Sequence, residues 1–131
     1  MKTHCIRMRR GDDILTTLQT QLENRNIHAA VLLGAVGCVR EACIRSADGV
    51  TVHHISEPME IVSLSGTLSK ERCHLHVAFS KADLSVIGGH LKSGCIVNTT
   101  LELVLLELED VRFSKEFDPD TGYHELSIEP R

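Results

Sequence analysis

The pattern of apolar and polar residues predicts one amphipathic helix near the start of the chain. Gly11 interrupts the preceding segment, and the two aspartates that follow it are typical N-cap residues. Apolar side chains then recur at helical spacing with polar residues between them, namely Ile14, Leu15, Leu18 and Leu22. This spacing predicts a helix over residues 12–25, preceded by a first strand over residues 4–10.

Most of the remaining chain has the pattern of β-strands. The apolar run from His28 to Leu33 ends at Gly34 and Gly37, which predicts a strand, a turn and a hairpin partner over residues 38–45. Residues 86–94 are punctuated by glycines and are predicted to form a loop. Further strands are predicted over residues 50–55, 59–69, 72–80, 95–108, 111–117 and 123–128.

One strand, one helix and then mostly strands indicate an α+β fold. The chain has 131 residues, of which 42% are hydrophobic, and this size and composition are typical of one compact domain. Because it contains no Trp, one Tyr and three Phe, its core must be aliphatic. We therefore expect residues 1–131 to form a single domain, in which a multi-stranded mixed or antiparallel sheet packs on one main helix.

The charge balance disfavours direct binding to nucleic acid. The formal net charge is -4, from 14 basic and 18 acidic residues, whereas stand-alone DNA-binding domains usually carry a basic excess. No apolar run approaches the ~20 residues that cross a bilayer, and the first residues lack the apolar stretch of a secretory signal. The five cysteines form an odd set without a C-x-x-C pair. These features predict a cytoplasmic protein with reduced thiols and no membrane partner.

The sharpest chemical candidate is a group of three histidines. His74 and His76 are two residues apart on a predicted strand, so their side chains share a face. His90 follows Gly88 and Gly89, which are expected to shape the loop and allow a close approach. Three imidazoles would leave one coordination position open, and they suit zinc or another divalent transition metal. The alternative is that two are exposed strand residues and the third caps a loop.

Two carboxylates are candidates for acid–base chemistry. Glu60 and Glu102 lie in otherwise apolar strands, where a carboxylate must be paired, hydrogen-bonded or shifted in pKa. The alternative is a structural role for both, at a subunit interface for example. His53 and His54 are adjacent on a strand and face opposite ways, so at most one of them could join the histidine group.

Short motifs spread over almost the whole chain form a specific combination. They are Arg10–Asp13, Leu33–Gly37, Glu60–Leu68, His74–His76, Gly88–Leu91 with Gly94, Thr100 with Glu102, and Phe117–Tyr123 with Glu125 and Leu126. Each is weak alone, but together they resemble the PPC (plant and prokaryote conserved) domain family. The stand-alone prokaryotic members of that family lack an AT-hook, and this chain is similar to them.

The resemblance implies a compact domain with a multi-stranded sheet on a helix, assembled as a homotrimer. It also implies a metal ion, often taken to be zinc, on the residues that match His74, His76 and His90. Plant members are nuclear DNA-associated regulators, and their DNA contact is assigned to an AT-hook with an Arg-Gly-Arg-Pro core. That tetrapeptide is absent here, and Arg10-Gly11 is followed by aspartates.

Three functions remain open at this point. The first is a trimeric metal-binding module, associated with DNA or transcriptional regulation as in the family. The second is a metal-dependent hydrolase or lyase that acts on a small molecule at the open three-histidine site. The third is direct duplex-DNA binding through the basic side chains of Arg7, Arg9, Arg10, Lys70 and Arg72.

Overall fold

The computed structural model describes residues 1–131 and contains nine strands and one helix. In chain order they are β1 Lys2–Arg9, α1 Ile14–Asn24, β2 Ala30–Arg45, β3 Val52–Ile55, β4 Met59–Ser69, β5 Arg72–Ser80, β6 Val86–Leu91, β7 Ile96–Glu107, β8 Val111–Asp118 and β9 Tyr123–Pro130. The α+β expectation is therefore confirmed at the level of element types.

Every strand pairing is antiparallel, and β2 lies at the centre of the sheet. The main sheet has seven strands in the order β1-β7-β2-β4-β5-β6, with β3 also beside β2. The last residues of β2, Ile44 and Arg45, pair in addition with β6. The pairings β2–β4, β4–β5, β5–β6 and β6–β2 therefore form a closed ring. Strands β8 and β9 form a separate hairpin.

Helix α1 covers one face of the sheet. The side chain of Asp13 accepts a hydrogen bond from the backbone N–H of Thr16, which satisfies a free donor at the helix start. Ile14, Leu18 and Leu22 form the buried stripe of the helix. They join a core cluster of 24 buried residues that is almost entirely aliphatic, as the composition predicted. The helix has 11 residues, and no helix here has the length and apolarity to span a membrane.

Residues 28–45 do not form the predicted hairpin, because β2 runs unbroken through both glycines. Gly37 lies against β7, where a Cβ atom would be 2.1 Å from the carbonyl oxygen of Thr100. A register shift between the two strands follows at Gly37/Val39, so this glycine permits close strand contact at a β-bulge and does not mark a turn.

Residues 86–94 are also not the predicted loop, because Val86–Leu91 form strand β6. A Cβ atom on Gly88 would lie 2.6 Å from the carbonyl oxygen of Val77, and one on Gly89 would lie 2.6 Å from that of Arg45. Both glycines therefore allow β6 to approach its neighbours on both sides. Strands β4 and β5, in contrast, have the predicted bounds.

We expect Gly37→Ala to lower the free energy of unfolding by about 2 kcal/mol or more, since the new methyl group must displace the backbone of β7. Gly34→Ala, in the same strand, is the matched control because no atom lies within 4 Å of its Cβ position. Its effect should stay within roughly 0.5 kcal/mol. Urea denaturation measures both, and equal stabilities would contradict this account of Gly37.

Candidate metal centre

Strand β5 separates a buried face from an accessible face. Leu75, Val77 and Phe79 are buried in the core, as their alternation predicted. His74 and His76 lie on the opposite face, where His74 is half-buried and His76 is exposed. The strand period of two therefore places both imidazoles side by side outside the core.

His90 reaches the same face through strand pairing. It lies directly opposite His76 in the β5–β6 register and directly opposite Arg45 in the β6–β2 register. Ser65 of β4 is in turn paired with His76. Ser65, His76, His90 and Arg45 thus form one row across four strands, and paired residues in a sheet point to the same side.

The three imidazoles converge on one point. The ring centroids are 5.1 Å apart for His74 and His76, 5.2 Å for His74 and His90, and 5.7 Å for His76 and His90. One nitrogen from each ring lies within 4.8 Å of the other two. The predicted convergence of these three residues is confirmed.

The site keeps two of its imidazoles neutral. Burial lowers the pKa of His90 to about 4, with the positive charge of Arg45 and the neighbouring rings acting in the same direction. Burial also lowers the pKa of His74, assisted by Arg72 and His76. Neutral imidazoles are the form that binds transition metals, so these rings do not have to lose a proton first at neutral pH.

The donor set fits a zinc-like ion after a small adjustment. Two zinc–nitrogen bonds of about 2.1 Å place their nitrogens at most ~4.2 Å apart. The three imidazole nitrogens lie within 4.8 Å of one another, so small ring rotations must bring them closer. The Nδ1 atom of His90 is buried and has no hydrogen-bond partner. An unsatisfied buried nitrogen in this position is consistent with a missing ligand.

Arg72 restricts the orientation of His74. Its Nη2 atom donates to Nδ1 of His74 at 3.1 Å, so the neutral ring carries its proton on Nε2. Binding an ion through Nε2 would require that proton to move to Nδ1 and Arg72 to release it. Arg72 lies two residues before His74 on β5. Because residues two apart on a strand share a face, this spacing is the feature of the sequence that could have predicted the contact.

Three clefts open at the histidine group, and each is lined by two of the three imidazoles. The first is about 550 Å³ and is lined by Arg45, Ser65, His76 and His90, with the two glycines of β6 in its wall. Gly88 and Gly89 lie on a strand and not in a loop, and their missing Cβ atoms make room for the backbones of β5 and β2. Their role in shaping a ligand site stays a prediction.

The second cleft, about 430 Å³, lies against His74 and His90. Its rim includes Tyr123, His124 and Glu125 from the start of β9. Spacing from the histidines gave no signal for these residues, since the hairpin lies more than 30 positions away in the chain. Only the folded chain brings them to the site.

The two candidate carboxylates lie elsewhere. Glu60 is exposed on β4, opposite Cys38 and beside a different cleft of about 390 Å³. Glu102 is exposed on the outer face of β7, opposite Arg7. Neither lines any of the three clefts that border the histidine group, so within one chain they are not acid–base partners of this site.

The remaining histidines are also outside the group. His53 and His54 lie on β3, and neither belongs to the three-histidine cluster. His4 is buried, and its Nε2 atom is 2.7 Å from a carboxylate oxygen of Glu107. This buried pair joins β1 to β7 and accounts for His4 as a structural residue.

Sequence and structure comparisons relate the chain to known proteins. The family model of the Plants and Prokaryotes Conserved (PCC) domain matches residues 1–109. The chain is 38% identical over 130 residues to the bifunctional protein GlmU of a Synechococcus strain. That match covers 99% of this chain but only 21% of the relative's length.

Two solved structures have nearly the same fold. A hypothetical protein from Salmonella enterica superposes with a TM-score of 0.97 at 32% identity, covering 99% of this chain and 94% of that protein. A metal-containing protein from Archaeoglobus fulgidus superposes with a TM-score of 0.83, also at 32% identity, covering 97% and 94%.

We expect the metal-free protein to lose stability as the pH falls from about 6.5 towards about 4. Folded His90 has a pKa of about 4, below its ordinary value of 6.5, so the unfolded chain binds more protons in this window and stability rises with pH. The measurement is urea denaturation in chelator at about pH 7.5 and about pH 5.

The difference in stability between the two pH values should be smaller in His90→Gln than in the wild type. His53→Gln, which alters an exposed histidine of β3, should leave that difference unchanged. An identical pH dependence in His90→Gln and the wild type would contradict the assigned pKa shift.

Proposed function

The chain belongs to the Plants and Prokaryotes Conserved domain family, and we propose that it is a metal-binding member that holds zinc or another divalent transition metal on His74, His76 and His90. The observation that carries this proposal is the convergence of three imidazole nitrogens within 4.8 Å. The Archaeoglobus relative is itself a metal-containing protein with the same fold. Zinc is the default choice because the ligands are imidazoles only.

A catalytic role is the second candidate. Three protein ligands leave a coordination position open, and the site opens on clefts of about 550 Å³ and about 430 Å³, sizes suited to a small molecule. A zinc ion in such a site acts as a Lewis acid or lowers the pKa of a bound water. This supports hydrolase or lyase chemistry on a small substrate.

The acid–base partner for such chemistry would be Glu125 and not Glu60 or Glu102. Asp48 and Glu125 are the acidic residues of the 430 Å³ cleft. Asp48 already accepts hydrogen bonds from the backbone N–H groups of Val50 and Thr51. Glu125 is exposed and forms none of the chain's ion pairs, so it is free to exchange a proton with a substrate.

The family resemblance implies a homotrimer, and self-association is supported by an apolar patch on the outer face of the sheet. Val104 of β7 is paired with Cys5 of β1 on one side and with Gly34 of β2 on the other. Two residues earlier on β7, Glu102 is paired with Val36 of β2. Val36 is 59% exposed and Val104 is 38% exposed. An apolar surface on three adjacent strands favours covering by another copy of the chain. Glu102 would then be an interface residue.

Direct duplex-DNA binding has weaker support. Arg9 is paired with Thr100, near the start of β7. Lys70 donates its backbone N–H to the carbonyl of Ile27, which precedes the start of β2, where β2 pairs with the end of β7. Arg72 is engaged by His74. The basic residues of one chain therefore do not form one continuous patch. Absence of Arg-dependent DNA retardation at low salt would contradict this function.

The proposed compartment is the cytoplasm. All five cysteines are free thiols, and buried Cys43 and Cys95 contact each other through backbone and sulfur atoms without a disulfide. Unpaired cysteines are typical of a reducing compartment.

We expect untagged protein incubated with zinc and then desalted to retain about one zinc ion per chain, measured by plasma mass spectrometry. His76→Ala should weaken zinc binding by roughly 100-fold or more, since loss of a supporting residue alone costs 10–100-fold in comparable sites. His53→Ala is the control because it removes an exposed histidine outside the group.

Equal zinc affinity in His76→Ala and the wild type would refute the metal site. If zinc binds but ester and phosphoester hydrolysis by the wild type does not exceed that of His76→Ala, the hydrolytic form of the catalytic candidate is contradicted and the metal site stands.

Light scattering should give a mass about three times the 14.5 kDa of one chain. Val104→Glu should shift the protein towards smaller species while its circular dichroism stays native, because a charge enters the apolar patch. Val50→Glu, at a position that is 80% exposed outside this patch, should leave the mass unchanged. A wild-type monomer at micromolar concentration would contradict the trimer.

A further inference from the structure

Arg45 is a charged side chain without a counter-ion. Its Nε atom is buried and has no hydrogen-bond partner, and none of the four ion pairs of the chain involves it. A buried donor on a permanent cation is costly to leave unmatched. The structure therefore contains an unmet requirement for a negatively charged partner at this position.

The 550 Å³ cleft beside Arg45 supplies hydrogen-bond donors but no acid. Asp48 and Glu125 line the 430 Å³ cleft that Arg45 also borders, and neither forms an ion pair with it. Arg45 lies in the same row as His90 and His76, and it lines the 550 Å³ cleft together with the exposed hydroxyls of Ser63 and Ser65. No aspartate or glutamate lines this cleft. A divalent ion on the histidines would add two further positive charges beside the guanidinium.

From this imbalance we infer that the cleft binds a small molecule through an oxyanion group, a carboxylate or a phosphate, held by Arg45 beside the three-histidine site. This inference rests on the proposed metal-binding function and names the ligand class of the same site. A planar guanidinium matches the two oxygens of either group. The serine hydroxyls provide further donors along the β4 wall.

The geometry favours a small molecule over a nucleic-acid backbone. The cleft volume of about 550 Å³ lies within the roughly 300–1,000 Å³ range of small-molecule pockets. Arg45 is half-buried at the end of β2 and is the one Lys or Arg that lines this cleft, whereas binding to duplex DNA depends on several Lys or Arg contacts to phosphates.

The test is isothermal titration of zinc-loaded protein with inorganic phosphate, with pyruvate and with a short duplex DNA. Either small anion should bind the wild type, and Arg45→Gln should weaken that binding by roughly 10-fold or more. Arg40→Gln, an exposed arginine of the same strand outside the cleft, should bind like the wild type. Zinc titration should show no loss of zinc affinity in either variant, which separates ligand binding from metal binding.

Each outcome decides the inference. Tighter binding of phosphate than pyruvate, or the reverse, identifies the oxyanion when the binding depends on Arg45. If zinc binds but neither small anion does, or if Arg45→Gln binds them as well as the wild type, the oxyanion site is refuted and the metal site stands. Arg45-dependent binding of DNA alone would refute the small-molecule assignment. Failure of the wild type to bind zinc overturns both proposals.

Discussion

The closed ring of antiparallel pairings from β2 through β4, β5 and β6 back to β2 is the constraint on which the site depends. Antiparallel register places paired residues on the same side of the sheet. Once the end of β2 meets β6, Arg45 and His90 must lie together, and His90 must face His76. The ring therefore positions the chemistry through backbone hydrogen bonds, without any direct bond between the three imidazoles.

The two faces of this sheet serve different purposes. The inner face is aliphatic and is closed by α1, so it provides most of the folding energy through burial. The accessible face near β5 concentrates imidazoles and arginines without acidic neighbours in the larger cleft. Burial lowers the pKa of His74 and of His90, and the neighbouring arginines act in the same direction, so this face favours neutral imidazoles.

Similar proteins place this domain in different settings. The chain spans 21% of the length of the GlmU relative, yet it superposes on almost the whole of the Salmonella protein. The matched region therefore makes up nearly all of one similar protein and about a fifth of the other. The β8–β9 hairpin lies beyond the part matched by the family model, but it contributes Glu125 and two neighbours to the rim of the histidine site.

The sequence alone determined the local elements and the shared face of His74 and His76, because these depend on periodicities of 3.6 and 2 that any short segment displays. It also indicated the family through motifs around those residues. Tertiary structure decided what depends on partners distant in the chain. Local sequence predicts a turn at Gly34 and Gly37, whereas β7 passes beside Gly37 and keeps this segment extended. It also predicts a loop over residues 86–91, whereas pairing with β5 and β2 makes this segment a strand. The place of Arg45 beside His90, and of Glu60 and Glu102 away from it, follows from strand register, which is set by long-range hydrogen bonds and not by local spacing.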